Sequence, residues 1–206
     1  MKVWTAMSTV RPQRPAESPA SSLASTPAPT GSTVPLDFGP TDLLVNNAGA
    51  MLLGRIADQP VDEWERMIDI NVKGLLYATR AVLPGMVARR ADTIVNIGSV
   101  AGRKTFPNHA AYVGTKFAVH SMSENLREEV AETGVRVVTI APGAVETEFL
   151  SYTSDERIKR DYQAWKESAG GALAPEEVAD TIAYAYGRPR NVTIREIVFA
   201  STGQQA

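Results

Sequence analysis

Apolar runs along the chain switch between two periods, and one segment has neither. Residues 42–46, 92–99, 135–140 and 192–200 are short, β-branched and apolar, and turn residues bound them. Such runs read as strands buried on both faces of a parallel sheet. Between them the apolar positions space out. Val61, Trp64, Met67, Ile68, Leu75 and Leu76 fall near one helical face, predicting a helix over 61–83 that loosens at Pro84 and Gly85. A second helix is expected over 110–133, carrying Tyr112, Lys116, Phe117, Val119, Met122, Leu126 and Val130, with Gly134 as its stop. A third is expected over 175–186, where Glu176 and Glu177 suit the first turn. Residues 147–172 read as short helices. Strands alternating with helices imply βαβ units and right-handed crossovers.

The first 37 residues stand apart. The stretch RPQRPAESPASSLASTPAPTGSTVP is dense in Pro, Ser, Thr and Ala and carries neither period. Repeated prolines oppose helix and sheet ladder alike, so a disordered tail over 1–37 and one folded domain over 38–206 are expected.

Composition narrows the function. The chain has 206 residues and a net charge of −2, which offers no electrostatic case for nucleic acid. It has no cysteine and two histidines, which removes thiolate sites and a disulfide framework and leaves little for a metal. No apolar run is long enough for a bilayer. A cytoplasmic protein is the expectation.

The candidate chemistry lies in SVAGRKTFPNHAAYVGTK, residues 99–116. Four residues is about one helical turn, so on a helix Lys116 lies beside Tyr112. A cation there favours the phenolate of a group whose ordinary pKa is about 10, bringing proton transfer nearer neutrality. A Tyr-x-x-x-Lys alone is common by chance, so the rest of the chain has to carry it. Asn71 falls mid-helix, where asparagine is a poor helix former. His109 and His120 read as ordinary polar residues and Trp64 as core. Phe149, Tyr152, Tyr162 and Trp165 either line a pocket or pack.

Taken in order, Asn46-Asn47-Ala48-Gly49, Asn71, Ser99, Tyr112-x-x-x-Lys116 and Pro142-Gly143 resemble the short-chain dehydrogenase/reductase family, from about Phe38 to the C-terminus. The block NVTIREIVFASTGQ resembles its NADP-dependent reductases of small hydroxy acids and aldehydes. The resemblance implies a Rossmann-like doubly wound sheet and hydride transfer between NADP (or NAD) and a small alcohol or carbonyl substrate. It implies Asn71, Ser99, Tyr112 and Lys116 as the catalytic set. Tyr112 would be the general acid or base, Lys116 the ribose ligand that lowers the tyrosine pKa, Ser99 the holder of the substrate oxygen, and Asn71 a water-holding relay residue. It implies Asn47, Ala48, Gly49, Tyr112, Lys116, Pro142, Gly143, Val145 and Thr147 against the cofactor. It also implies a homo-oligomer through helices 61–83 and 110–133.

The sequence departs from that family at its start. No G-x-x-x-G-x-G occurs, so the turn that cradles a cofactor pyrophosphate is missing, and the first three strands of the sheet are missing with it. The Pro/Ser/Thr-rich segment in their place is expected to derive from a shifted reading frame or a misplaced start. The strand at 42–46 is then expected to be a bare edge, with poor solubility or self-association. Weak cofactor binding is also expected, or a truncated, non-catalytic fragment acting as an interaction module.

Overall fold

A computed structural model describes residues 3–5 and 39–205. Five strands form one all-parallel sheet in chain order: β1 (Val3–Thr5), β2 (Leu43–Asn46), β3 (Thr93–Ile97), β4 (Arg136–Pro142) and β5 (Glu196–Phe199). The incomplete doubly wound architecture is as expected, and four strands match those read from the apolar runs.

The bare edge is not found. Val3, Trp4 and Thr5 pair in parallel with Leu43, Leu44 and Val45, so β2 is an inner strand over that length. A three-residue strand is too short to show alternation, which is why composition alone assigned it to the tail. The rest of the expected tail lies outside the described residues.

Alternate residues of the strands feed two cores. Leu43, Val45, Val95, Val138 and Ile140 face α5 (Pro175–Tyr186), through Val178, Ile182 and Tyr186. Leu44, Ile94, Val135 and Val137 face the other side, where α2 (Leu75–Arg89) brings Val82, Leu83 and Met86, and α3 (Ala110–Glu129) brings Leu126. Arg136 ties α5 to the sheet. Its guanidinium donates to the carbonyls of Tyr186 and Arg188 at 2.9 and 3.0 Å and to Thr93 Oγ1 at 3.1 Å. That satisfies carbonyls at the helix C-terminus that have no partner within the helix.

The helix expected over 61–83 is three pieces on one axis. α1 (Val61–Ile68) runs into a π-helical turn, Asp69–Gly74, and then into α2. Buried Met67, Asn71, Leu75 and Thr79 recur every four residues. A 3.6-residue turn would carry that row off the face by about 40° per step, and one wider turn restores it. Pro84 lies inside α2 and does not end it; the helix continues to Arg89. Burial of Met86 and Val87 against the sheet outweighs the one hydrogen bond the proline cannot donate. The helix stops at Arg90, in the left-handed region with φ 53°.

Three residues assigned to the inner face lie outside it. Val61, Ile68 and Leu76 are exposed, as are Tyr77 and Phe117. Along 147–172 a 3₁₀ turn, Glu148–Tyr152, precedes α4 (Glu156–Ser168), whose N-cap Asp155 accepts from the Arg157 and Ile158 N–H groups.

A chain of buried amides joins sheet to helices. Asn46 Nδ2 donates to Asn96 Oδ1 at 2.8 Å and to Thr79 Oγ1 at 3.3 Å. Asn96 Nδ2 donates to Ser123 Oγ at 2.8 Å, and Ser123 Oγ to the Val119 carbonyl at 2.7 Å. Asn96→Ala strands a buried donor on Asn46 and takes a donor from Ser123, with an expected loss of about 2–4 kcal/mol, read by urea unfolding against the wild type.

Candidate functional site

A cavity of about 720 Å³ opens at the C-terminal ends of β2, β3 and β4. Its size falls in the usual small-molecule range of roughly 300–1,000 Å³. The ends of parallel strands are where such sheets bind ligands.

Three of the four residues singled out for chemistry line it: Ser99, Tyr112 and Lys116. Ser99 follows β3 and caps a short turn, its Oγ accepting from the Ala101 N–H at 3.1 Å. Tyr112 and Lys116 stand one turn apart near the start of α3, with Lys116 Nζ 5.8 Å from the centre of the Tyr112 ring. Asn47, Pro142, Gly143, Val145 and Thr147 line the same cavity. Ala48, Gly49 and Asn71 do not.

Asn71 lies behind the wall, buried in the π-helical turn. Its Oδ1 accepts from the Ala50 N–H at 2.8 Å, and its Nδ2 donates to the Ala50 carbonyl at 2.9 Å and to Thr115 Oγ1 at 3.0 Å. Thr115 Oγ1 donates in turn to the Tyr112 carbonyl at 2.7 Å. Asn71 therefore clamps the strand-ending loop at Ala50 to the turn of α3 that carries Tyr112. The poor helix former noted in the sequence sits where the helix widens. Gly49 is packed behind the cavity, and a Cβ there would come within 3.3 Å of the Phe149 ring.

The electrostatics differ from the sequence expectation. Burial pushes the Tyr112 phenol above its ordinary value, while the facing Ser99 hydroxyl pulls it down. Lys116 itself is pushed from 10.5 down to about 8 by burial, and its Nζ donates to the Ile97 carbonyl at 2.9 Å. Removal from water penalises the charged form of each group.

Two supporting residues were not read as part of a site. His120 Nε2 accepts from the Ser99 N–H at 3.3 Å, and its Nδ1 lies 2.9 Å from Glu196 Oε1 on β5. Burial would raise Glu196, but Arg103 and His120 outweigh it and hold the carboxyl below its ordinary value. The signal was the glycines. A Cβ at Gly98 or at Gly102 would approach the His120 ring to 2.4 Å, so the segment around Ser99 is cut to fit that imidazole. Gln204 Oε1 accepts from the Ala144 N–H at 2.9 Å and steadies the loop after β4.

Comparison with known proteins fixes the class. The short chain dehydrogenase family matches residues 30–158. An uncharacterised oxidoreductase of Staphylococcus saprophyticus is 40% identical over 170 residues, which is 82% of this chain and 68% of that protein. One from Staphylococcus aureus is 37% identical over 161 residues, 78% of this chain and 64% of that protein. The chain thus spans about two thirds of the length of these relatives. Among solved structures, serine dehydrogenase from Escherichia coli superposes with a TM-score of 0.70 at 36% identity, covering 84% of this chain and 70% of that one. The closed form of serine dehydrogenase complexed with NADP⁺ gives 0.76 at 38% identity over the same shares. The chain belongs to the short-chain dehydrogenase family. By family it is an NAD(P)-dependent oxidoreductase.

The residues present fit one end of that cofactor. Asn47, Lys116 and the loop Pro142–Thr147 surround a space beside Tyr112 suited to a nicotinamide riboside. A diphosphate finds less, since Lys116 is the only cationic side chain in the described lining. At the N-terminus of α5, whose Pro175 reaches the cavity, Glu176 and Glu177 oppose an anion. Among the described residues no helix of at least 18 residues is apolar enough to cross a membrane.

Lys116 gives the site a stability signature. Below about pH 8 the folded chain bears the full penalty of a buried ammonium, and that penalty fades as pH rises toward the ordinary lysine value of 10.5. In that window the unfolded chain binds more protons, so stability rises with pH. Urea unfolding of Lys116→Met against wild type is expected to show a difference that shifts toward the wild type by on the order of 2–3 kcal/mol between those limits.

Proposed function

We propose that the cavity transfers hydride between NAD(P)(H) and a small alcohol or carbonyl compound, with Tyr112 as general acid and base. The observation that carries this is the convergence of Ser99, Tyr112 and Lys116 on one cavity that the Pro142–Thr147 loop also lines, with Ser99 Oγ donating to the Pro142 carbonyl at 3.5 Å. Bound NAD(P)(H) supplies the hydride donor or acceptor. In the reducing direction the substrate oxygen lies between the Ser99 and Tyr112 hydroxyls. Ser99 orients it and offsets its developing negative charge. Tyr112 donates its proton to that oxygen as the carbonyl carbon is reduced, and takes it back in the oxidising direction. Burial keeps the Tyr112 phenol protonated at rest, and the Ser99 hydroxyl pulls it back toward the range in which proton transfer is efficient. Lys116 orients the nicotinamide ribose and offsets the phenolate left by transfer. Asn71 is assigned a positioning role through Ala50 and Thr115 in addition to its expected place in a water relay. Asn47, Ala48, Gly49, Pro142, Gly143, Val145 and Thr147 are proposed to contact the cofactor, with NADP favoured over NAD. We further propose that the protein works in the cytoplasm and that residues 38–206 form the catalytic domain, to which Val3–Thr5 add an edge strand.

At saturating cofactor, oxidation of small secondary alcohols is expected to fall by about 10²–10⁴-fold in Tyr112→Phe, followed by absorbance of the reduced nicotinamide. NADPH fluorescence is expected not to saturate in the micromolar range, because the diphosphate lacks a cradle in the described lining. Unchanged turnover in Tyr112→Phe would sink the assignment.

A second reading rests on Ile68, Leu76, Tyr77 and Phe117, all exposed on α1–α3 or the turn between them. They suit a homo-oligomer through these helices, or a non-catalytic interaction module that keeps the same face. Light scattering is expected to give a dimer or larger for the wild type and a smaller species for Leu76→Glu/Tyr77→Glu. A wild-type monomer removes this reading.

A further inference from the structure

One side of the cavity is built from rings. Phe106 and His109 precede and cap α3; Tyr162 and Trp165 come from α4. The centroid of His109 lies 5.6 Å from Phe106, 6.0 Å from Tyr162 and 6.3 Å from Tyr112. Trp165 lies 5.3 Å from Tyr162 and 6.3 Å from Phe106. Each pair is tilted or edge-on, the geometry in which aromatic quadrupoles attract. Phe106, His109, Tyr162 and Trp165 all line the cavity, and each remains half-buried. A cluster that served only packing would close over its own faces; this one leaves ring surface toward the space in front of Tyr112.

The charge of this wall is equally specific. Ile158, Asp161, Tyr162 and Trp165 follow the i, i+3, i+4, i+7 spacing of one helical face, and all four line the cavity. Asp161 is the acidic group there. His109 uses Nδ1 on the Pro107 carbonyl at 2.6 Å, and burial lowers its pKa, so it presents a neutral ring. Nearby cations already have partners: Lys166 pairs with Glu146 at 2.8 Å, and Lys104 lies over the Phe106 ring and donates to the Gln205 carbonyl at 3.3 Å. Within the described lining, Lys116 is the only cation, and it faces the Ile97 carbonyl. A substrate carboxylate would therefore meet Asp161 and no free cation.

We propose that Phe106, His109, Tyr162 and Trp165 form a substrate subsite for an uncharged aromatic alcohol or ketone, and that Asp161 selects against carboxylate-bearing substrates. This rests on the oxidoreductase reading of the same cavity. An aryl ring packs against the cavity-facing surface of Tyr162 and Trp165 and leaves the benzylic oxygen toward Ser99 and Tyr112.

Saturation-transfer NMR on the full chain tests this without turnover, using 1-phenylethanol against tartrate. The expected result is binding of 1-phenylethanol at least about tenfold tighter than tartrate, lost by about tenfold in Tyr162→Ala/Trp165→Ala and kept in Trp165→Phe. Asp161→Arg is expected to gain tartrate binding by about tenfold over the wild type. Equal or tighter tartrate binding in the wild type overturns the proposal. So does unchanged 1-phenylethanol binding in the double variant when its circular dichroism matches wild type. A chain that binds 1-phenylethanol as expected but never oxidises it loses the hydride-transfer reading and keeps the subsite.

Discussion

The position of α3 is held by side-chain amides and hydroxyls in the interior. On one flank Asn46, Asn96 and Ser123 link β2 and β3 to the middle of the helix. On the other, Asn71 holds the turn after Gly114 through Thr115. Apolar packing alone tolerates sliding by a fraction of a residue, because dispersion is weak in direction. Hydrogen bonds between fully buried groups do not, because a displaced partner is left unsatisfied. The helix that carries Tyr112 and Lys116 is therefore fixed in height and rotation before any ligand arrives.

That rigidity sets the electrostatic character of the site. Tyr112 and Lys116 are both buried, and burial moves them toward neutrality from opposite directions, the phenol up and the ammonium down. The Ile97 carbonyl that holds Lys116 gives the ammonium a fixed direction. The His120–Glu196–Arg103 set does the same for the backbone of Ser99 from the far side. The pair is thus poised to respond to a ligand that changes local charge or water content.

Much of this was legible in the sequence, for identifiable reasons. The strands at 43–46, 93–97 and 136–142 are buried on both faces, and a β-branched run bounded by turn residues leaves few alternatives. The Tyr112–Lys116 spacing and Ser99 at a strand end are local patterns, and both converge on the cavity. What escaped was non-local or energetic. The helix is expected only to about Leu83, loosening at Pro84 and Gly85, because the burial of Met86 and Val87 beyond it depends on the sheet. Val3–Thr5 has too few residues to carry a period. The direction of the Tyr112 shift needed its burial, which spacing does not encode. The ring cluster joins residues some 50 positions apart, Phe106 and His109 with Tyr162 and Trp165, so only the fold brings it together.

The widened turn at Asp69–Gly74 acts as a phase shifter. Each residue advances an α-helix by about 100°, so the turn resets the azimuth of α2 against that of α1. Removing one residue there would make the axis a more regular α-helix and satisfy its local hydrogen bonding. It would also swing Thr79 away from Asn46 and Met86 off the sheet. The length of this segment is thus constrained more tightly than its composition, and the local cost of an irregular turn is the means by which two helical faces address two different cores.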